Sequence, residues 1–342
     1  MSAAAMDYAA LSGRRVLVTG GLGFIGSNLV RAAVRAGAQV TVLTRSLSKL
    51  ANIAPVIKAV HVRQADLSAP EPAAAAFAES VGGQDFIFHL SAQTSHIDSM
   101  LQPQADLLAN CAATLALLES CRQLAPQAAL VMPGTVTQAG LVAALPAAEG
   151  TPDWPLSLYD AHKLLCEKYL FVYQRNYGLK TTTLRLANVF GERQQPDNPR
   201  RGILNFMVHR ALHGQPLTIY EPGDFVRDYS HVDNVVDALL LAALSPRTAG
   251  ESYVCGSGTG LRFDEMIACV VQAVHAETGI TAEVQRVPFP AAERTIDAGD
   301  FIADSSKLRA HTGWQPRVDF AEGLRRTIRY YTAPGTEPVH AG

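Results

Sequence analysis

The chain has 342 residues, of which 48% are apolar and 18% charged, and its formal net charge is −2. That length supports one large domain or two modest ones with real cores, and the near-neutral balance gives no basic field for a nucleic-acid partner. No apolar run reaches ~18 residues, which argues against a membrane-spanning helix; the five cysteines are odd in number, form no Cys-x-x-Cys, and suit reduced thiols in a cytoplasmic protein.

Met1 to Ser12 lacks a signal peptide's basic start and apolar core and reads as a flexible leader. Val16-Leu17-Val18-Thr19 then reads as a buried strand, Gly20, Gly23 and Gly26 as a tight turn, and Phe24 to Ala36 as a helix stopping at Gly37. A glycine pattern alone is weak evidence, but a strand before it and a helix after it point to a dinucleotide turn. The glycines, with Phe24 and Ile25, would bring backbone close to a pyrophosphate at the helix N-terminus. Gln39 to Thr44 is a second strand, ending where such a unit carries an Asp or Glu for the ribose 2′-hydroxyl; here stand Thr44, Arg45 and Ser46. Losing the carboxylate removes repulsion against a 2′-phosphate that Arg45 would pair with, so NADP is favoured over NAD; the alternative is a solvated surface Arg.

Val60 to Gln64 makes a third strand leading to Asp66 and Leu67, placed to contact adenine, and Ser68 to Ala78 a loop and weak helix. Asp85 to Leu90 makes a fourth, after which Ser91, Ala92 and Gln93 turn over the cofactor. His89 in that apolar strand reads as a hydrogen-bonded core histidine, with no partners at metal-ligand spacing, and no metal site is expected. Asp106 to Cys121 has the periodicity of one long helix, and Ala129 to Met132 is a fifth strand that ends through Pro133-Gly134 at Thr135. A further helix opens at Tyr159 and runs to about Tyr177, and Thr181 to Leu186 is a sixth strand. Alternating strands and helices predict an α/β, doubly wound parallel sheet of about seven strands up to Leu186. Tyr159 and Lys163, at i and i+4, share one helix face. A cation beside a phenol favours the phenolate, lowering a pKa that is about 10 unperturbed. Such a tyrosine would take a proton from a sugar hydroxyl while hydride leaves for the cofactor.

Taken together, these stretches resemble the extended short-chain dehydrogenase/reductase family, specifically its nucleotide-sugar epimerase and dehydratase branch, from about Arg14 to Tyr331. The matching segments are Thr19 to Gly26, His89 to Gln93, Asn110 at the mid-helix Asn, the Thr135/Tyr159/Lys163 set, Arg185 to Gly191, Gly223 to Asp233 and Asp304 to Leu308. The resemblance implies a Rossmann domain at 12–186 plus 224–255 and a smaller nucleotide-sugar-binding domain at 187–223 plus 256–335. It implies Thr135 on the reacting oxygen, Tyr159 as acid/base, and Lys163 also on the nicotinamide ribose. Substrate contacts would come from Thr94, Ser95 and His96 after the fourth strand, and from Asn188, Asn205, Arg227, Arg294 and Asp297. For Arg227 and Arg294 the alternative is a structural ion pair. The helices from Asp106 and Tyr159 are apolar on more than one face, as expected if they pair with a twin in a homodimer.

Departures from the family narrow the reaction. Its 4,6-dehydratases follow the Ser/Thr with an Asp-Glu pair, and its decarboxylases usually carry a Glu there; here Val136 and Thr137 follow Thr135. Dehydration and decarboxylation are therefore disfavoured. What remains is a nucleotide-sugar epimerase working by transient oxidation at C4 with a bound NAD(P). An NADPH-dependent 4-ketoreductase of a nucleotide-linked 4-keto sugar is the alternative. A non-catalytic dinucleotide-binding sensor ranks behind both.

Overall fold

A computed structural model describes residues 8–196, 202–288 and 299–333. The first half contains β1 (Arg15–Thr19), α1 (Phe24–Arg35), β2 (Gln39–Thr44), β3 (Val60–Gln64), α2 (Pro70–Ser80) and β4 (Phe86–His89). It continues with α3 (His96–Leu101), α4 (Pro103–Leu107), α5 (Ala113–Leu124), β5 (Ala129–Thr135), α6 (Leu158–Tyr177) and β6 (Lys180–Leu186). The second half begins with β7 (Asn188–Phe190), α7 (Ile203–Leu212), β8 (Leu217–Tyr220), β9 (Val226–His231) and α8 (Val232–Leu244). After these come β10 (Glu251–Cys255), β11 (Gly260–Arg262), α9 (Phe263–Thr278), β12 (Val284–Val287), α10 (Ser306–Thr312) and α11 (Phe320–Thr332).

A seven-stranded sheet in the order β10-β6-β5-β4-β1-β2-β3 organises the molecule. Every neighbouring pair in it is parallel. The strand order reverses between β1 and β4, and the crevice at such a switch point, outside the carboxyl ends of the strands, is where open α/β sheets bind ligands. Alternation along β1 sends Val16 and Val18 into a core shared with Leu29 of α1 and Leu239 of α8, while Leu17 enters the opposite core with Phe77 of α2, Leu118 of α5 and Leu170 of α6. Helices thus cover both faces, and the Rossmann-like architecture is as expected. A separate core gathers Met207 of α7, Ile219 of β8, Ile267 of α9 and Leu324 of α11, beside the three-stranded sheet β11-β9-β7 and the β12-β8 pair.

Four details depart from expectation. Six strands of the large sheet lie before Ala187, and the seventh is β10, which pairs with β6. Leu308 and Trp314, in the stretch assigned to the smaller domain, pack wholly buried in the large sheet's core, while β9 pairs with β7 and β11 rather than joining that sheet. The segment before Arg14 is not all loose: Leu11 is fully buried in a 3-10 turn, and the Tyr8 hydroxyl donates to Asp237. The helix expected from Asp106 is broken into α4, a π-helical segment at Leu108–Ala112, and α5. That break has a local cause. Thr114 Oγ1 donates to the Asn110 carbonyl at 2.7 Å, and the Asn110 side chain is drawn out to the Gln93 backbone.

Candidate active site

A cavity of about 930 Å³ opens at the carboxyl ends of the sheet, and its lining draws on both halves of the chain. One wall is the glycine turn. Gly20 has φ +67°, and a Cβ there would meet Ser91 N at 2.9 Å; a Cβ on Gly26 would meet the Gly20 carbonyl oxygen at 2.3 Å. The turn is therefore closed to side chains, so backbone forms its surface. Gly23 caps α1 without a side-chain hydrogen bond, leaving the helix N-terminus open to an anion. Gly20, Gly23, Phe24, Ile25 and Gly26 all line the cavity, as do Leu90 and Ala92 beyond β4. This donor set and close backbone fit a dinucleotide pyrophosphate.

Thr135, Tyr159 and Lys163 converge on the same cavity. Thr135 ends β5, while Ser157 caps α6 by accepting from the Asp160 N–H, which aligns the following turn. Ser99 Oγ accepts from the Tyr159 N–H at 3.0 Å and ties α3 to that turn. Tyr159 and Lys163 are both buried. Burial pushes the Tyr159 phenol above its ordinary value, and Asp160 and Asp106 add to the rise; the lowering expected from Lys163 is not what the protein's own groups produce. Burial also lowers Lys163, while Cys166, Cys111 and Asp106 partly restore its charge. Behind the lysine, His162 Nδ1 lies 2.5 Å from Asp106, which accepts from the Gln93 amide at 2.9 Å. His89 is a buried, hydrogen-bonded histidine, 2.9 Å from Thr19 Oγ1. Burial, then Lys163, brings its pKa down to about 3.

Other expected site residues fall differently. Thr94, Ser95, His96, Asn188 and Arg227 line the cavity. Gln93 and Asn110 instead clasp each other through backbone and side-chain bonds, and Ser91 donates its N–H to Thr19 Oγ1. Thr44, Arg45, Ser46, Asp66 and Leu67 are absent from the cavity wall. The Thr44 hydroxyl is taken by the Ser46 carbonyl, Asp66 caps Ser68, and Leu67 is packed in the core. Asn205 is a correction: it is wholly buried and does not line the cavity, and both its amide hydrogens are taken by the Gly191 carbonyl and the Tyr331 hydroxyl while its oxygen accepts from the Gly191 N–H. Arg294 and Asp297 lie outside the described residues.

The cavity also uses residues the sequence reading missed. Lys49 and Gln195 bond each other at 2.6 Å on its lining. Arg210 of α7, Thr218 and Tyr220 of β8, and Phe225 before β9 also line it. Thr218 and Tyr220 alternate with the buried Leu217 and Ile219 along β8, so strand alternation was the signal available for them.

Comparison with known proteins shows the family. The family model described as the NAD dependent epimerase/dehydratase family matches residues 16–256. A UDP-glucose 4-epimerase from Mycolicibacterium smegmatis is 31% identical over 93% of this chain and 98% of its own length. A crystal structure titled as the Thermus thermophilus UDP-glucose 4-epimerase in complex with NAD is 35% identical, with a TM-score of 0.80 over 94% of this chain and 99% of that one. A dTDP-glucose 4,6-dehydratase from Streptomyces niveus is 29% identical over 93% of this chain and 92% of its own. That similarity overturns the exclusion of dehydratases drawn from Val136 and Thr137. In the fold the Asp160 carboxylate reaches Thr137 from α6, an acid that the sequence neighbours of Thr135 do not reveal. The chain belongs to the NAD-dependent epimerase/dehydratase family.

Proposed function

We propose that the protein is a nucleotide-sugar epimerase that transiently oxidises C4 of the sugar and re-reduces it on the opposite face. The observation that carries this reading is the meeting of Thr135, Tyr159 and Lys163 in a cavity whose lining also includes the glycine turn and Arg227. The glycine turn and the α1 N-terminus would hold the pyrophosphate of NAD, and Lys163 and Tyr159 would bind its nicotinamide ribose. Bound there, the nicotinamide supplies the hydride acceptor and donor. NAD is preferred to NADP because the matching family is described as NAD dependent and a similar structure is titled as a complex with NAD, while among the described residues no contact of Arg45 supports the lean toward NADP. For the same reason the ketoreductase reading loses its support.

Tyr159 and Thr135 hold the reacting oxygen, Tyr159 exchanging its proton, while the buried Lys163 ammonium favours negative charge on that oxygen. Arg227 and Arg210 line the same cavity and suit the diphosphate of a nucleotide sugar. The apolar residues exposed on α4 to α6, Leu107, Leu115, Leu165 and Phe171 among them, suit burial against a second copy of this chain. Reduced cysteines suit a cytoplasmic setting.

The test is to denature the purified protein, identify the released cofactor, and incubate native protein with UDP- and dTDP-sugars without added reductant. The expected result is bound NAD and a 4-epimer product. A 4-keto-6-deoxy product, or stoichiometric consumption of added NADPH, overturns the epimerase reading. Tyr159→Phe is expected to lower kcat by about a hundredfold or more; unchanged turnover removes Tyr159 from its acid/base role.

A further inference from the structure

Beside Tyr159 lies a polar cluster that this reading does not use. Asp160 is buried on α6, and its carboxylate accepts from the Ser157 hydroxyl at 2.7 Å and from the Thr137 hydroxyl. Asp160 Oδ2 is also 3.3 Å from His96 Nδ1. Thr137 Oγ1 in turn lies 2.7 Å from Thr135 Oγ1. The result is an unbroken path Thr135–Thr137–Asp160–His96 whose two ends, Thr135 and His96, both line the cavity. The His96 ring stands edge-on to Tyr159, with ring centroids 5.0 Å apart.

The path has a polarity. Burial alone would raise the Asp160 carboxyl, but His96 and the hydroxyls of Thr137 and Ser157 hold it below the ordinary value, so it is ionised at neutral pH. An ionised carboxylate only accepts. Thr137 must therefore donate to Asp160, and its oxygen is left to accept from the Thr135 hydroxyl. The Thr137 N–H already donates to Thr135 Oγ1 at 3.3 Å. Thr135 thus keeps one lone pair for a ligand and no hydrogen. That suits a sugar hydroxyl, which donates, and opposes a sugar ketone, which only accepts. The path has to reverse between the two states.

We propose that Thr135, Thr137 and Asp160, with His96 as charge partner, form a second proton route beside Tyr159 whose direction reverses as the sugar is oxidised and re-reduced. The proposal rests on the hydride-transfer reading above. As the sugar O–H bond breaks, its proton bonds to Thr135 Oγ1, the Thr135 proton passes to Thr137 Oγ1, and the Thr137 proton to Asp160 Oδ1. The hydrogen on the sugar carbon leaves with its electron pair to the nicotinamide, and the C=O bond forms. Asp160 is then a neutral acid, and Thr135 points its hydrogen at the ketone oxygen. Re-reduction runs each transfer backward, so one proton and one hydride are returned. Thr137 and Asp160 act through Thr135 and are positioning residues.

The test uses full-length protein with its bound cofactor and follows interconversion of UDP-glucose and UDP-galactose. Thr137→Val is expected to lower kcat by about tenfold or more with KM held within about twofold, and Thr137→Ser to restore it. The Thr137→Val/Asp160→Asn double variant is expected to fall no lower than the worse single variant, since both break one path. Wild-type kcat in Thr137→Val, or a multiplicative double variant, overturns the route.

A second arm needs no turnover. His96 from α3 faces Asp160, Tyr159 lies beside it on α6, and Thr137 contributes only a neutral hydroxyl. The Asp160 carboxyl, followed by carboxyl-carbon NMR, is expected to titrate at higher pH in His96→Gln than in the wild-type chain; an unmoved midpoint overturns the pairing. If wild-type protein converts none of the UDP- and dTDP-sugars, the epimerase reading falls, while an unmoved Asp160 midpoint separately overturns the His96–Asp160 pairing on which the route rests.

Discussion

Gly26 illustrates a residue whose role is written almost entirely in the local chain. A Cβ there would meet the Gly20 carbonyl oxygen at 2.3 Å, a backbone atom that cannot rotate away. Gly26→Ala is expected to lower the NAD released per denatured chain by about tenfold or more, because the turn must open where the pyrophosphate approaches; wild-type cofactor content would remove the turn from that role. Such glycines were legible because the constraint spans only the strand, the turn and the first helical residues. Asn205 and Thr44 were not. What each side chain bonds depends on Gly191 and Tyr331 in one case and Ser46 in the other, and on where the cavity wall runs. Asp160 shows the same limit: sequence placed Thr137 after Thr135, and only folding brought a carboxylate to it.

At the scale of elements, α6 presents Tyr159 and Lys163 one turn apart and is held to the sheet by ion pairs one turn further on. Glu167 accepts from Arg185 of β6 at 2.7 and 2.8 Å, and Arg185 reaches Asp153 at 2.6 Å. Burial would raise the Glu167 carboxyl, but the bonds and charge of Arg185, with Lys168, hold it below its ordinary value. A carboxyl lowered on folding contributes stability above its unfolded pKa and loses it as pH falls through the folded one. Glu167→Ala is therefore expected to cost about 3 kcal/mol near neutrality, since it leaves the buried Arg185 guanidinium with Asp153 as its one remaining carboxylate. In thermal melts across pH, the difference from wild type should shrink below about pH 4.3, the unperturbed Glu value; a pH-independent difference would mean that packing alone is lost. Helix periodicity revealed α6 but not the break before α5. Apolar spacing is blind to a side chain such as Asn110 that leaves its helix for the Gln93 backbone.

The whole molecule joins the two cores of the large sheet and the separate core of α7, β8, α9 and α11 around the cavity, with apolar residues on α5 and α6 still facing outward. Leu115, Leu165 and Phe171 are each at least 36% exposed, an area whose burial against a second copy would favour association. Light scattering on the full-length chain is expected to give a dimer, and Leu165→Glu with Phe171→Glu a monomer. A wild-type monomer at micromolar concentration would reassign those residues to a plain surface. Trp314 makes the opposite point about the C-terminal stretch. Its ring is wholly buried against α8, with the indole N–H donated to the Asn234 carbonyl at 2.8 Å, so residues late in the chain complete the first core.

The sequence by itself determined the alternating strands and the glycine turn, because strand alternation and turn sterics act over a few residues, and its motifs resembled the family and through it implied Thr135, Tyr159 and Lys163. Only the tertiary structure decided which side chains face the cavity, how Tyr159 is charged by its surroundings, and that Asp160 and His96 stand beside Thr135. Those depend on burial and on contacts between α3, α6 and the turn after β5, which lie tens of residues apart and meet only when the sheet has formed.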